Sequence, residues 1–270
     1  NFQVAGWAAQ SALMPLDELM EGVDLTLDDV YDWALQGSQY KGTTYSIPYN
    51  GDARVLFYNK DMFEAAGLDP EAPPTTIEEL TAAAEKLTIR DGANYKQAGF
   101  VPWQFAGKPV YCWGWNFGGE FYDAENNVLT VADPKNIEAL QWEVDFADQM
   151  GGIDFVNFAS GLGTGAEDPF VTGQLAMAVR GNFDIANMAV YNPDLNYGVT
   201  PIPSKEAGKS ANMIGGWGWT IPKGAKNPEA SIDFLKYLIS EDAQKQMSEM
   251  SSSFSPLKSV NEAVFADDEM

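Results

Sequence analysis

The alternation of apolar and polar positions is clearest in one stretch, YSIPYNGDARVLFYNKDMFEAAGLDP, which spans residues 45–70. A short extended run and a polar turn precede a second β-type run over residues 53–58. Residues 60–66 have helical spacing, and Gly67 stands where a left-handed residue usually closes a helix. The stretch therefore predicts a strand, a turn, a second strand and a helix in succession.

Three further helices are predicted from their caps and apolar spacing. Thr75 and Glu78 form a capping-box pattern that opens the first. Asp133 and Pro134 begin the second and clearest helix, and the third covers residues 228–239. The positions predicted to face the core are Ile77, Leu80, Ala84 and Leu87 in the first helix, Ile137, Leu140, Val144 and Ala147 in the second, and Ile232, Leu235 and Leu238 in the third.

Strand-like and helix-like segments alternate along the whole chain. This alternation predicts an α/β fold with mainly parallel sheets, because parallel neighbours are joined through helices. At about 100–200 residues per domain, a chain of this length allows one or two domains.

The composition narrows the possible functions. The chain has 39 acidic and 16 basic residues, a formal net charge of −23. Nucleic acids and anionic membrane surfaces are therefore unfavourable partners, since both are bound by clustered Lys and Arg. There is no histidine, and the single cysteine, Cys112, cannot form an internal disulfide. The sequence has no Walker loop, EF-hand loop or nucleophile elbow. The common catalytic motifs are therefore missing, although catalysis is not excluded.

Aromatic residues are numerous, with 8 Trp, 11 Tyr and 15 Phe. Sugar rings have apolar faces and hydroxyl edges, so their sites combine flat aromatics with polar side chains. Trp217 is the preferred stacking residue, and either Trp219 shares its face or Trp219 is core. Gly216 beside it allows a ligand to approach the backbone, or forms a plain bulge. At most one of Trp113 and Trp115 is expected to face a ligand, since positions i and i+2 diverge on a helical turn.

Polar residues at the predicted strand ends form a second group of candidates. Asn50, Asp52 and Arg54 lie where open α/β sheets place their ligands. A salt bridge between Asp52 and Arg54 is the alternative interpretation. Tyr49, next to this group, is an intermediate candidate for ligand contact.

Four segments carry recognisable motifs in a fixed order. They are YSIPY with LFYNKDMFEAAGL in residues 42–68, WGWNFGG in 113–119, FVTGQLAMAVRGNF in 170–183 and GGWGWTIPKG in 215–224. Together they span nearly the whole chain. In these motifs the chain resembles extracellular solute-binding protein family 1, the receptors that deliver solutes, typically sugars, to ABC importers.

The resemblance implies a two-lobed, type II periplasmic-binding-protein fold with strands that cross between the lobes. Family members normally begin with an export signal, often of the lipoprotein type, and a further strand–helix–strand unit. The chain is therefore expected to be a fragment that lacks the start of its first lobe and its C-terminal helices. The implied assignment is residues 1–51 and 204–252 for lobe one, and residues 52–203 and 253–270 for lobe two, with hinge segments at 52–58 and 198–203.

The resemblance also suggests roles for particular residues. Asp52 aligns with a cleft carboxylate of the maltodextrin-binding relatives. Phe183 stands where those relatives carry a stacking tryptophan, and it offers a smaller ring. Arg180 and Asn182 flank Phe183 as polar contacts, and Gln3 falls at the position of a polar sugar contact.

The implied function is the substrate-binding component of an ABC transporter. It would capture a mono- or oligosaccharide between its lobes, close by a hinge motion and dock on a membrane permease. The resemblance implies a monomeric periplasmic or extracellular protein, with a lipoprotein anchor as an open alternative. It implies no catalytic residue, cofactor or metal.

Three alternatives remain at this point. A glycoside hydrolase would use two carboxylates, and Asp52 is the one good candidate in the predicted cleft segments. The same receptor fold could bind a phosphorylated polyol or another small solute, for which Arg54, Lys108 and Arg180 are the basic groups. The third alternative is a lectin or sensor module without a transport role.

Overall fold

The computed structural model describes residues 3–92, 94–104 and 109–264. Lys108, one of the basic groups named for a phosphorylated solute, lies outside these ranges. Within them, no helix combines the length and the apolar character needed to cross a membrane.

Helices and short strands alternate along the chain, as the sequence predicts. The helices are α1 Val4–Ala9, α2 Asp17–Gly22, α3 Asp32–Ser38, α4 Lys60–Ala65, α5 Ile77–Leu87, α6 Pro109–Asn116, α7 Pro134–Met150, α8 Ile153–Ser160, α9 Asp184–Tyr191, α10 Pro228–Leu238, α11 Glu241–Ser251 and α12 Lys258–Val264. The strands are β1 Gln39–Tyr40, β2 Thr43–Thr44, β3 Ile47–Pro48, β4 Arg54–Asn59, β5 Ile89–Asp91, β6 Asn94–Gln97, β7 Tyr122–Asp123, β8 Val128–Leu129, β9 Met177–Gly181, β10 Tyr197–Thr200 and β11 Gly218–Trp219.

The chain divides into two compact units. Unit 1 comprises Asn1–Ala53 and Ile214–Met270, and unit 2 comprises Arg54–Met213. The first boundary lies inside the crossing segment predicted at residues 52–58. Each unit is described below by itself.

The end of the chain belongs to a different unit from the one predicted. Residues 253–264 are assigned to lobe two in the sequence analysis, whereas the structure places them in unit 1. Phe254 forms a β-bridge with Gly51, and Leu257 forms one with Val30. Leu257 is also buried in the core of unit 1. These contacts fix the segment there.

The second boundary also lies later than predicted. Residues 204–213 remain in unit 2 instead of joining lobe one. The side chain of Asn116 exchanges two hydrogen bonds with the backbone of Ala211, each 2.9 Å long. The side chain of Asn212 likewise bonds both the N–H and the carbonyl of Arg54. A sequence pattern does not reveal such hydrogen bonds between a side chain and a distant stretch of backbone.

The sheet of unit 2 has the order β10–β4–β9, and both outer strands are antiparallel to β4. β9 and β10 are joined through α9, but β4 lies between them. The connection therefore does not bring parallel neighbours together. All pairs of named strands in the described residues are antiparallel, and parallel pairing there is limited to the isolated bridges of Thr76 with Ser204 and Ala98 with Leu175. Mainly parallel sheets, as predicted, are therefore not observed among these strands.

Helix α5 begins with a capping box placed one residue later than predicted. The Glu79 N–H donates to Thr76 Oγ1 at 3.1 Å, and the Thr76 N–H donates to Glu79 Oε2 at 3.2 Å. Both spacings satisfy the pattern, and the structure uses this one instead of Thr75 with Glu78.

Helix α7 buries a different face from the one predicted. Ile137, Leu140 and Val144 are 56%, 54% and 50% exposed. The buried face carries two large side chains, and the ring of Phe146 packs edge-on against that of Phe100. These larger groups fill the core of unit 2 better than the predicted stripe. The buried residues of α7 are Asn136, Ala139, Phe146 and Met150.

Unit 1 has a smaller core built from aliphatic side chains. Ile47 of β3 and Leu16 are fully buried in it. Helix α10 packs on this core through Ile232 and Leu235, with Leu238 partly buried against it. The predicted inward face of α10 is therefore confirmed.

Candidate functional site

A polar pocket of about 340 Å³ lies within unit 2, and we refer to it as the polar pocket. It is formed by the end of β9, the first turns of α9 and the loops that precede them. Its lining residues are Gln104, Gly163, Thr164, Asp168, Val171, Val179, Arg180, Phe183, Asp184, Asn187 and Met188.

Two carboxylates hold the guanidinium group of Arg180 in this pocket. Its Nη2 atom lies 2.6 Å from each carboxylate oxygen of Asp168. Its Nη1 atom lies 3.6 Å from Oδ2 of Asp184, four residues further along the chain at the start of α9. The backbone N–H groups of Phe170 and Val171 donate to Oδ1 of Asp168, which fixes that carboxylate. Arg180 is therefore held by charge-assisted hydrogen bonds and a second ion pair.

The electrostatics of the pocket are shaped by burial. Burial raises the pKa of Asp184 above its ordinary value, while Arg180 and the side-chain amide of Asn187 act in the opposite direction. The nearby Asp168 carboxylate raises this pKa further. The lining of the pocket thus contains two carboxylates, those of Asp168 and Asp184, and one guanidinium, that of Arg180.

Two residues that line the pocket each have one buried polar atom without a partner in the part of the chain that the structure describes. Gln104 Oε1 and Arg180 Nε are buried without a hydrogen-bond partner among the described residues. One is an acceptor and the other a donor, so together they match a group that both donates and accepts.

The predicted residues next to the pocket form a packed group. Phe183 precedes α9, and the guanidinium carbon of Arg54 lies 5.2 Å from the centre of its ring. Arg54 is 7% exposed and begins β4 opposite Gly181 of β9. Asn182 and Phe183 are partly buried. Strand pairing between β4 and β9 therefore brings Arg54 next to Phe183, from which it is distant in sequence.

The predicted residues of unit 1 meet at the loop before β11. The Trp217 N–H donates to Asn50 Oδ1 at 3.0 Å, and the Tyr49 N–H donates to the Trp217 carbonyl at 2.9 Å. Trp217 is 70% exposed and Trp219 is 43% exposed. Trp219 packs on Tyr49 with ring centres 5.3 Å apart. The alternative that Trp219 is a core residue is therefore wrong.

The backbone contacts of the remaining predicted residues of unit 1 are well defined. A Cβ on Gly216 would collide with the carbonyl of Asn50, so a neighbouring stretch of the chain already makes the close approach predicted for a ligand. Asp52 is 8% exposed, and its backbone forms a two-way bridge with Gly215. Gln3 is exposed at the start of α1, where its carbonyl accepts from the Trp7 N–H, 2.9 Å away.

The tryptophans of α6 differ from the prediction in one respect. Trp113 has no exposed surface, and its indole N–H donates to the Pro102 carbonyl at 3.0 Å. It is a core residue, so the expectation that it contacts a ligand is corrected. Trp115 is partly buried beside the rings of Tyr111 and Phe121, each with its centre 6.0 Å away.

Most lining residues of the polar pocket were not among the sequence candidates, and these include Asp168, Asp184 and Gln104. Asp184 follows Arg180 by four residues, and Asp168 precedes Pro169, which is a turn signal. Such signals could have pointed to an acidic cluster near Arg180. Nothing in the pattern around Gln104 marks it.

A larger groove of about 730 Å³ also lies in unit 2, between α5 and α7. Its walls include Trp142, Phe117 and several carboxylates, and none of the predicted site residues lines it. Within the ranges that the structure describes, no group of three or more Cys, Asp or Glu side chains could hold a metal ion. The polar pocket and the exposed tryptophans are therefore the better candidates for a binding site.

Comparison with known proteins places these features in context. The chain matches the bacterial extracellular solute-binding protein family over residues 1–245. It is 33% identical to CpMnBP1, whose structure has mannobiose bound, with a TM-score of 0.88 over 98% of this chain and 67% of that one. This likeness confirms the predicted α/β fold of the type II periplasmic-binding-protein class.

Two further relatives are named for solutes other than sugars. The probable amino-acid ABC transporter periplasmic-binding protein y4oP of Sinorhizobium fredii is 26% identical over 92% of this chain and 56% of its own length. The sn-glycerol-3-phosphate-binding periplasmic protein UgpB of Yersinia pseudotuberculosis is 26% identical over 86% of this chain and 54% of its own length. The chain thus spans little more than half the length of these two relatives. It belongs to the family of bacterial extracellular solute-binding proteins.

Proposed function

We propose that the protein is the substrate-binding component of an ABC importer and that its solute is a mono- or oligosaccharide. The observation that carries this proposal is the 33% identity to a mannobiose-bound receptor over 98% of the chain. The solute would be captured by hinge closure of the two-lobed receptor fold, and the closed form would dock on a membrane permease.

The chemistry of the candidate residues supports a sugar. Trp217 offers an exposed ring face for stacking on the apolar side of a pyranose. The polar pocket offers amide, guanidinium and carboxylate groups of the kinds that pair with hydroxyls. We propose as further ligand contacts Tyr49, Asn50, Asp52, Arg54, Trp115, Asn182 and Phe183, and with less support Gln3 and Gly216.

The alternative solutes are less well supported. UgpB is a glycerol-phosphate-binding protein, and a phosphate needs clustered basic groups. In the polar pocket Arg180 is engaged by Asp168 and Asp184, which disfavours an added anion. We further propose that the protein breaks no bond, acts as a monomer outside the cytoplasmic membrane and needs no cofactor, with lipoprotein anchoring as one way to retain it there.

A thermal-shift panel tests this function. The full-length protein is heated with mannobiose, mannotriose, maltose, glycerol 3-phosphate and amino acids, each in excess. A solute at a hundredfold over its dissociation constant adds about 2.7 kcal/mol to the free energy of unfolding, which raises the melting temperature clearly. We expect a shift with at least one sugar and a smaller shift for Trp217→Ala. A shift with glycerol 3-phosphate or amino acids alone would overturn the carbohydrate proposal.

A further inference from the structure

Two of the side chains that line the polar pocket carry buried polar atoms without a partner in the described part of the chain. Within the described residues, four buried side-chain atoms lack a hydrogen-bond partner, and Gln104 Oε1 and Arg180 Nε are two of these. Unpaired buried polar atoms are rare because each loses its hydrogen bonds to water without replacement. Two such atoms at one pocket indicate that a ligand supplies the missing partners.

The other two unpaired atoms have a different setting. A Cβ on Gly218 would collide with Ser46 Oγ, and a Cβ on Gly119 would collide with Asn136 Oδ1. Neighbouring backbone therefore covers both atoms at close range. The residues of the first pair line a pocket of about 340 Å³ instead, which leaves room for a ligand.

The contacts of the other guanidinium atoms of Arg180 indicate whether the ligand group that pairs with Nε–H is neutral or anionic. Asp168 accepts hydrogen bonds from Nη2 of Arg180, and Asp184 forms an ion pair with Nη1, whereas Nε–H is buried without a partner among the described residues. Because two carboxylates already face one guanidinium, a phosphate would bring a third anionic group. A hydroxyl is neutral and can both accept from Nε–H and donate to Gln104 Oε1.

We propose that Gln104 and Arg180 form a hydroxyl-recognition subsite for a neutral sugar, in which Gln104 is the specificity-determining acceptor. This inference rests on the carbohydrate function proposed above and goes beyond it. It assigns a role to a residue outside the predicted site and excludes phosphorylated solutes from this pocket. One hydroxyl, or two neighbouring hydroxyls of one ring, would satisfy both atoms.

The test is isothermal titration calorimetry on the full-length protein with the panel sugar that binds it, beginning with mannobiose. Gln104→Leu removes the acceptor and keeps a similar side-chain size. We expect the dissociation constant to rise by about tenfold or more, the effect of losing one well-formed hydrogen bond. Gln141→Leu, the same chemical change on the exposed face of α7, is the matched control and should leave the dissociation constant unchanged.

Monodeoxy analogues of the same sugar locate the contact. For one analogue, the dissociation constant with the wild-type protein should equal that of the parent sugar with Gln104→Leu. Gln104→Leu should bind this analogue with the same dissociation constant, because the hydrogen bond is already lost. If Gln104→Leu does not fold, titrations of the wild-type protein with the deoxy analogues and with glycerol 3-phosphate still test the inference. The inference is wrong if no deoxy analogue is weakened or if glycerol 3-phosphate binds as tightly as the sugar.

The outcomes separate this inference from the function on which it rests. Tight sugar binding with an unchanged dissociation constant for Gln104→Leu would overturn the subsite and leave the carbohydrate function intact. Failure of the wild-type protein to bind any sugar would overturn both.

Discussion

The two units fill their interiors with different kinds of side chain. In unit 2 the fully buried residues include Trp113, Phe57, Phe100, Phe146 and Phe155, whose rings pack with one another and with neighbouring aromatics. The buried cluster of unit 1 is aliphatic. Its tryptophans at positions 7, 217 and 219 are 45%, 70% and 43% exposed.

This difference shows that the abundance of aromatic residues has two separate causes. Unit 2 uses aromatic rings as core, and its polar pocket offers hydrogen-bonding groups. Unit 1 presents aromatic rings at its surface, where they could stack on a ligand. Under the carbohydrate proposal, unit 1 offers ring faces for stacking and unit 2 offers polar groups for hydrogen bonds.

The largest expected effect comes from truncating a buried tryptophan. Trp113→Ala should lower the free energy of unfolding by about 3–5 kcal/mol, because it removes a fully buried ring and leaves a cavity. Trp217→Ala, the same change at an exposed site, should alter it by no more than about 0.5 kcal/mol. Urea unfolding followed by circular dichroism measures both. Equal losses for the two variants would contradict the contrast between the units.

A smaller effect is expected from a carboxylate in α7 of unit 2. Burial raises the pKa of Glu143 from 4.5 to about 7. The folded state therefore holds a proton that the unfolded state has lost, and stability falls as the pH rises from about 4.5 to about 7. Glu143→Gln should remove this dependence and add about 1–2 kcal/mol at pH 8, after allowance for partial exposure.

Melting temperatures between pH 4.5 and 8 check this prediction against the wild-type protein. Asp148→Asn, the same neutralisation at an exposed position of the same helix, is the control. Identical pH profiles for the wild type and Glu143→Gln would show that this carboxylate is well solvated in the folded protein.

The smallest effects concern helix caps in the two units. Thr76 accepts from the Glu79 N–H at 3.1 Å within a reciprocal capping box, whereas Ser240 accepts from the Ala243 N–H at 3.4 Å. We expect Thr76→Ala to cost about 1 kcal/mol and Ser240→Ala about half as much, since the longer bond is weaker. Urea unfolding ranks the two variants, and the reverse order would count against this interpretation.

The sequence was informative where a local pattern determines the structure. The strand, turn, strand and helix of residues 45–70, the cap of α7 and the inward face of α10 could all be predicted from spacing. The fold class followed from the order of motifs. These features depend on neighbours a few residues apart.

The features that could not be predicted depend on distant contacts. Periodicity indicated the wrong face of α7, because the packing of Phe146 against other rings decides which face is buried. Two hydrogen bonds from Asn116 to Ala211 hold residues 204–213 in unit 2. Gln104 enters the candidate site through folding alone, and no pattern in its surroundings marks it.

The most direct test of the central claim is a calorimetric titration of the wild-type protein with mannobiose and, separately, with glycerol 3-phosphate under the same conditions. The account predicts saturable binding of mannobiose or another neutral sugar of the panel and no binding of the phosphate. Tight binding of glycerol 3-phosphate without binding of any neutral sugar would contradict it.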